Sequence, residues 1–199
     1  VVPEFSVERS RSTETARPDI VLFVNGIPFC VIECKSPKIE VEHAISQSIR
    51  NQRDDYIPKL FTFAQMVLGV NKNSAQYATV GTPRKFWSVW KEKEDREKDV
   101  ENLVNTPLTD FQKDQLYSGE FREAMQYFYE LEQHGPRLVT EQDRVIYSLC
   151  RPERLLDIAY RFTLFDGGVK KVCRYQQFRA VNKAVARVAR GVVVTIIAD

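Results

Sequence analysis

Cysteine occurs at four positions, Cys30, Cys34, Cys150 and Cys173, but never as a C-x-x-C pair, and that spacing excludes the common tetrahedral zinc sites. Nor does it resemble a small disulfide scaffold, so buried thiols in a reducing compartment are expected. No apolar run approaches the roughly 18 residues that a membrane span requires. No secretory leader is visible, and the chain opens on Val1 rather than methionine, so a native start upstream and a cytoplasmic location are expected. Histidine is confined to His43 and His134. Neither has a serine, cysteine or second histidine at a telling distance, so histidine-based nucleophilic catalysis has nothing to build on. No G-x-x-x-x-G-K-S/T loop is present, so these residues alone cannot hydrolyse ATP. An excess of one charge is missing too: 29 Lys and Arg against 27 Asp and Glu leave +2. Global charge therefore announces no nucleic-acid partner, although a local basic cleft remains open to the chain. Internal repeats and low-complexity tracts are absent.

What is present is enough apolar material for a real core, 43% of 199 residues, which suits one full domain plus part of another, or two small ones. Residues 4–9 alternate apolar and polar and read as a strand, followed by a polar loop over 10–18. Ile20-Val21-Leu22-Phe23-Val24 is a β-branched run, Asn25-Gly26 is the strongest short hairpin signal, and residues 27–33 form a second apolar run. From about residue 40 to 56 apolar positions recur every three or four residues, predicting a helix. Residues 60–70 and 75–80 read as neighbouring strands, and strands flanking a helix predict a mixed α/β sheet. Residues 91–101 are almost all charged and read as a solvated loop or helix face. Helices are predicted over 119–134, 140–149, 152–161 and 174–190, and a buried strand over 192–197. Trp87 and Trp90, near Phe86, read as packing residues. Lys72, Arg84 and Lys85 are either plain surface charge or a phosphate-facing edge. Gly167-Gly168 reads as a turn.

The chemistry concentrates in Arg17-Pro18-Asp19 and Glu33-Cys34-Lys35. Folding the hairpin brings Asp19, at the start of its first strand, beside Glu33 and Lys35, at the end of its second. Glu33 and Lys35 are two residues apart and share a face, while Cys34 points away. Two carboxylates and an ammonium framed by apolar strands need a partner, because an unpaired buried charge is costly. Magnesium resolves the conflict, with Asp19, Glu33 and the backbone carbonyl of Cys34 as ligands and waters completing the shell. Lys35 would orient the attacking water or stabilise developing negative charge. The plainer alternative is a surface salt bridge between Glu33 and Lys35.

Asp19 with Glu33-Cys34-Lys35 resembles the PD-(D/E)xK nuclease signature. Arg17 to Pro28, Val31 to Pro37, Arg50-Asn51-Gln52, Tyr56-Ile57-Pro58, Gly81-Thr82-Pro83 with Phe86-Trp87, and Cys150 to Leu156 look like the start of the type I restriction enzyme R (motor) subunit. The resemblance implies a restriction-endonuclease-like, RecB-like nuclease domain at about 1–90. A charged loop and helical connector over 91–168 would follow, then the start of a helicase-type motor over 169–199. It implies magnesium-dependent DNA hydrolysis, ATP for the full-length subunit, and methyltransferase and specificity subunits as partners. That branch carries Q-x-x-x-Y on the helix after the lysine. Gln47 fits by its distance from Lys35, but Asn51 then stands where tyrosine belongs; Gln52 and Tyr56 fit the literal pattern. Gln177, with Gln176 beside it, resembles the adenine-binding glutamine of the motor. The rivals are another nuclease of the superfamily, serving repair or recombination, and a non-catalytic interaction module.

Overall fold

Asn25 and Gly26 take φ of 50° and 79°, the left-handed pair that a tight two-residue hairpin demands. They join β4 (Ile20–Val24) to β5 (Ile27–Cys34). Ile20 pairs with Ile32 and Val24 with Ile27, with a register shift between Leu22 and Phe23. In the computed structural model, which describes residues 1–92 and 97–190, this hairpin is the middle of a five-stranded sheet. Its order runs β1 (Val2–Pro3), β4, β5, β6 (Met66–Asn71), β7 (Ser74–Ala78). Every neighbouring pair is antiparallel except β5 with β6. That parallel pair needs a crossover, supplied by α1 (Val41–Asn51) and the single turn α2 (Pro58–Phe61).

Side-chain alternation divides the strands between two cores. Val21, Val31, Val67 and Ala78 face α1 and α2, meeting Ile45, Ile57, Leu60 and Phe61. Cys30, Ile32, Met66, Leu68, Val70 and Tyr77 face the opposite way. There they are covered by α6 (Glu141–Cys150) and α7 (Pro152–Arg161), through Val145, Leu149, Leu155 and Ile158, and by α8 (Tyr175–Ala189), through Phe178. Both tryptophans pack as expected: Trp87 lies in the first core and Trp90 in the second. The chain is thus a mixed α/β structure, a sheet with helices on both faces. Among the described residues no helix is long and apolar enough to cross a membrane.

Several local expectations change. Residues 60–64 are not strand: Pro58 opens a helical turn, and β6 begins only at Met66. Leu60, Phe61 and Ala64 are buried while Thr62 and Phe63 are exposed, and because Phe63 is apolar the sequence does not display that helical spacing. The strand expected over 4–9 is broken at Glu4, which adopts φ 46°. Its remainder, β2 (Val7–Glu8), pairs with β3 (Thr15–Ala16) inside the segment read as loop. Beyond residue 96, α3 (Glu97–Val104) begins in the charged run and extends past it, and α4 (Asp110–Leu116) adds a helix. The helix expected from 119 is α5 (Arg122–Gln133), entered through a 3-10 turn. Gly167-Gly168 forms the turn of a hairpin, β8 (Thr163–Asp166) with β9 (Val169–Val172). The strand expected over 192–197 lies outside the described residues.

Helix α1 comes unusually close to the sheet at Gly69. A Cβ there would stand 3.0 Å from Ile45 Cγ1 and 3.2 Å from the Ile45 backbone nitrogen. Gly69→Val therefore forces α1 away from β6. Overpacking of this kind destabilises by about 1–3 kcal/mol, and denaturant unfolding of the variant is expected to show a loss in that range.

Candidate active site

Asp19 precedes β4, Glu33 is the penultimate residue of β5, and Lys35 follows that strand. Because Val31 faces α1, Glu33 and Lys35, at two-residue steps, face it as well. The expected gathering is present. Asp19 Oδ2 accepts the backbone N–H of Cys34 at 2.6 Å, which clips the start of β4 to the end of β5. Glu33 is wholly buried, so it is no member of a surface ion pair.

Two amides from α1 meet the Glu33 carboxylate. Gln47 Nε2 donates to Oε2 at 2.6 Å and Asn51 Nδ2 donates to Oε1 at 2.7 Å. Gln47 then uses its own Oε1 to accept from Lys35 Nζ at 2.6 Å. One glutamine thus bridges the ammonium and the buried carboxylate. Gln47 and Asn51 are four residues apart, so they lie on one helical face. Asn51 is 2% exposed and occupies the position where the Q-x-x-x-Y pattern has tyrosine. Sequence reasoning passed over it for that reason, although its spacing from Gln47 was the available signal.

The other predicted residues lie elsewhere. Gln52 donates to the Ser48 carbonyl and accepts the N–H of Gly81 at 2.8 Å, tying α1 to the turn after β7. Tyr56 packs at the edge of the first core with the guanidinium groups of Arg9 and Arg50 over its ring. Gln177 caps α8, its Oε1 accepting the backbone N–H of Arg174 at 2.8 Å; Gln176 is the adjacent, exposed residue of the same turn. His134 is exposed and bonded to the Glu130 carbonyl, and His43 is exposed. All four cysteines are free thiols, only Cys30 fully buried.

Electrostatically the two carboxyl groups of the site face a single ammonium, Lys35. Burial pushes the Glu33 carboxyl up to about 8, the nearby charge of Asp19 pushes further in the same direction, and Lys35 opposes both. Burial, and after it Asp19, also lifts the Cys34 thiol to about 11. A hard divalent cation would relieve the repulsion between the two carboxylates. Among the described residues no three His, Cys, Asp or Glu side chains gather for a metal. A cation held here would draw on the two carboxylates and backbone oxygen. That set fits magnesium, which retains several waters, and does not fit zinc.

The raised carboxyl carries a stability consequence. Between the ordinary glutamate value and about 8, native Glu33 keeps its proton while the unfolded chain releases it. The folded state therefore binds more protons, and stability falls as pH rises through that window, by up to about 1.4 kcal/mol per pH unit. In chelated, metal-free buffer, unfolding from about pH 5 to about pH 9 is expected to show this decline in the wild type. Glu33→Gln, neutral throughout, is expected to lack it.

Residues 1–86 match the family model described as the type I restriction enzyme R protein N terminus. Across 181 residues the chain is 28% identical to a protein of Methanocaldococcus jannaschii provisionally named the type I restriction enzyme MjaIXP endonuclease subunit, covering 88% of the chain and 15% of that protein. It is 26% identical over 185 residues to the type I restriction enzyme HindI endonuclease subunit of Haemophilus influenzae, covering 89% of the chain and 14% of that protein. The chain thus spans about a seventh of the length of these relatives. The resemblance read from the sequence is therefore shown: residues 1–86 match the N terminus of type I restriction enzyme R proteins, and the likeness to endonuclease subunits of that class runs across most of the chain.

Proposed function

We propose that the sheet and α1 form a PD-(D/E)xK, RecB-like nuclease that hydrolyses DNA phosphodiester bonds with magnesium, as the cutting part of a type I restriction enzyme. One observation carries the reading: Asp19, Glu33, Lys35 and Gln47 converge through direct contacts at the mouth of the hairpin. Asp19, Glu33 and the carbonyl of Cys34 would hold the cation. The chemistry that magnesium supplies when bound is a more acidic water and an offset to the charge on the phosphate.

The remaining work falls to the protein's own groups. Lys35, aimed by Gln47, orients the attacking water or meets the negative charge that builds on the phosphoryl oxygens. Water adds to phosphorus, the bond to the leaving oxygen breaks, and that oxygen takes up a proton. Asn51 holds Glu33 in the rotamer that turns its carboxylate toward Asp19, and the apolar walls keep bulk water from weakening these interactions. Base recognition is left to a specificity subunit, and methylation to a methyltransferase subunit. ATP serves translocation by the rest of the protein, with Gln177 the residue assigned to adenine.

The test is DNA cleavage by the whole protein in its complex. Asp19→Ala and Lys35→Ala are each expected to lower cutting by at least about 100-fold while ATP hydrolysis persists. Chelation should abolish cutting and added manganese restore it. Cleavage at the wild-type rate by Asp19→Ala would remove the site assignment.

A further inference from the structure

Arg50 lies on the solvent side of α1, one residue before Asn51. Its guanidinium is held in place twice over. Its Cζ lies over the Tyr56 ring, 4.8 Å from the centre, and its Nη2 donates to Asn51 Oδ1 at 3.4 Å. The same Asn51 donates to Glu33. Arginine normally gives up conformational freedom of this kind to meet an acid. Among the described residues Arg50 has no carboxylate in salt-bridge range. Arg9, the second guanidinium over Tyr56 at 4.6 Å, differs in this respect, because Glu14 neutralises it.

The result is an oriented, unneutralised planar cation linked through a single asparagine to the buried carboxylate. Two carboxylates at the floor of the site repel a polyanion, so an approaching strand needs a positive group at the rim. A guanidinium stacked on an aromatic ring keeps its in-plane N–H donors available for phosphate oxygens. We propose that Arg50, seated on Tyr56, binds a backbone phosphate of DNA next to the one that is cut, fixing the strand relative to Glu33. This rests on the nuclease reading, and it gives Tyr56 the role of a platform. Arg50 is a positioning residue in this scheme and takes no part in bond cleavage. Its contact is independent of base sequence, as befits an enzyme whose target is read elsewhere.

Fluorescence anisotropy of a labelled short duplex in calcium, titrated with the chain over a range of salt, tests the idea. Arg50→Ala should weaken binding about tenfold for duplexes of any sequence and reduce the slope of log K against log salt by about one. Arg50→Lys should restore the slope and only part of the affinity, because charge returns without the stacked fork. Lys183→Ala, on α8 behind the opposite face of the sheet, should match the wild type. If the wild type binds and Arg50→Ala matches it in affinity and slope, the arginine assignment alone has failed. If the wild type binds no duplex at all, the nuclease reading has failed and the arginine with it. Thermal unfolding of Arg50→Ala at the wild-type temperature excludes a folding defect, and Tyr56→Leu, lacking the platform, should share the affinity loss while keeping the salt slope.

Discussion

A carboxylate removed from water must be met by donors, by a cation or by a proton. Glu33 is buried beside a second carboxylate, and the structure around it is arranged to answer that demand. Two amides come from α1, and an ammonium reaches it through one of them. The amides meet both carboxyl oxygens without bringing a charge of their own. An arginine in place of Gln47 would form an ion pair with Glu33 instead. Neutral donors therefore seat the Glu33 carboxyl in the interior without a direct ion pair.

Holding those amides in place is a packing problem. Gln47 and Asn51 reach Glu33 because α1 lies almost on the backbone of β6, and Gly69 is what permits the approach. Gly69 pairs with Glu33 across the parallel ladder, so the thinnest point of the sheet adjoins the residue that needs the helix near. Gln52 contributes from the opposite edge of α1, anchoring it to Gly81. Its match to the literal motif thus coincides with a structural bond rather than a contact to Glu33.

The hairpin and the gathering of Asp19, Glu33 and Lys35 at its open end were legible in the sequence because they rest on short-range rules. Asn25-Gly26 sets the turn, strand periodicity sets which residues share a face, and the ends of the strands then meet. The helix after β5 was legible from its spacing. The choice between Gln47 and Gln52 was not, because it depends on how α1 is rotated over the sheet. That rotation is decided by Ala44, Ile45 and Gly69 in contact, which no local pattern reports. Asn51 was hidden by the expectation of a tyrosine, and the helical turn at Pro58–Phe61 by the apolar residues, exposed Phe63 among them, that continue into β6. The contacts between Phe178 and Trp90, or between Tyr77 and the Cys173 carbonyl, join residues almost ninety or more apart, and sequence alone has no access to them.

Those distant contacts bear on the site through β5 itself. Val31 and Glu33 face α1, while Cys30 and Ile32 face the core shared with α6, α7 and α8. One strand therefore carries the buried Glu33 carboxyl on one side and the attachment of the C-terminal helices on the other. Close-packed interiors transmit displacement rather than absorb it. A shift of α6 or α8 against Ile32 is felt one peptide away at Glu33, and Asp19 follows because its carboxylate is bonded to the N–H of Cys34. The C-terminal helices thus do more than lengthen the chain: they pack on the strand that carries Glu33.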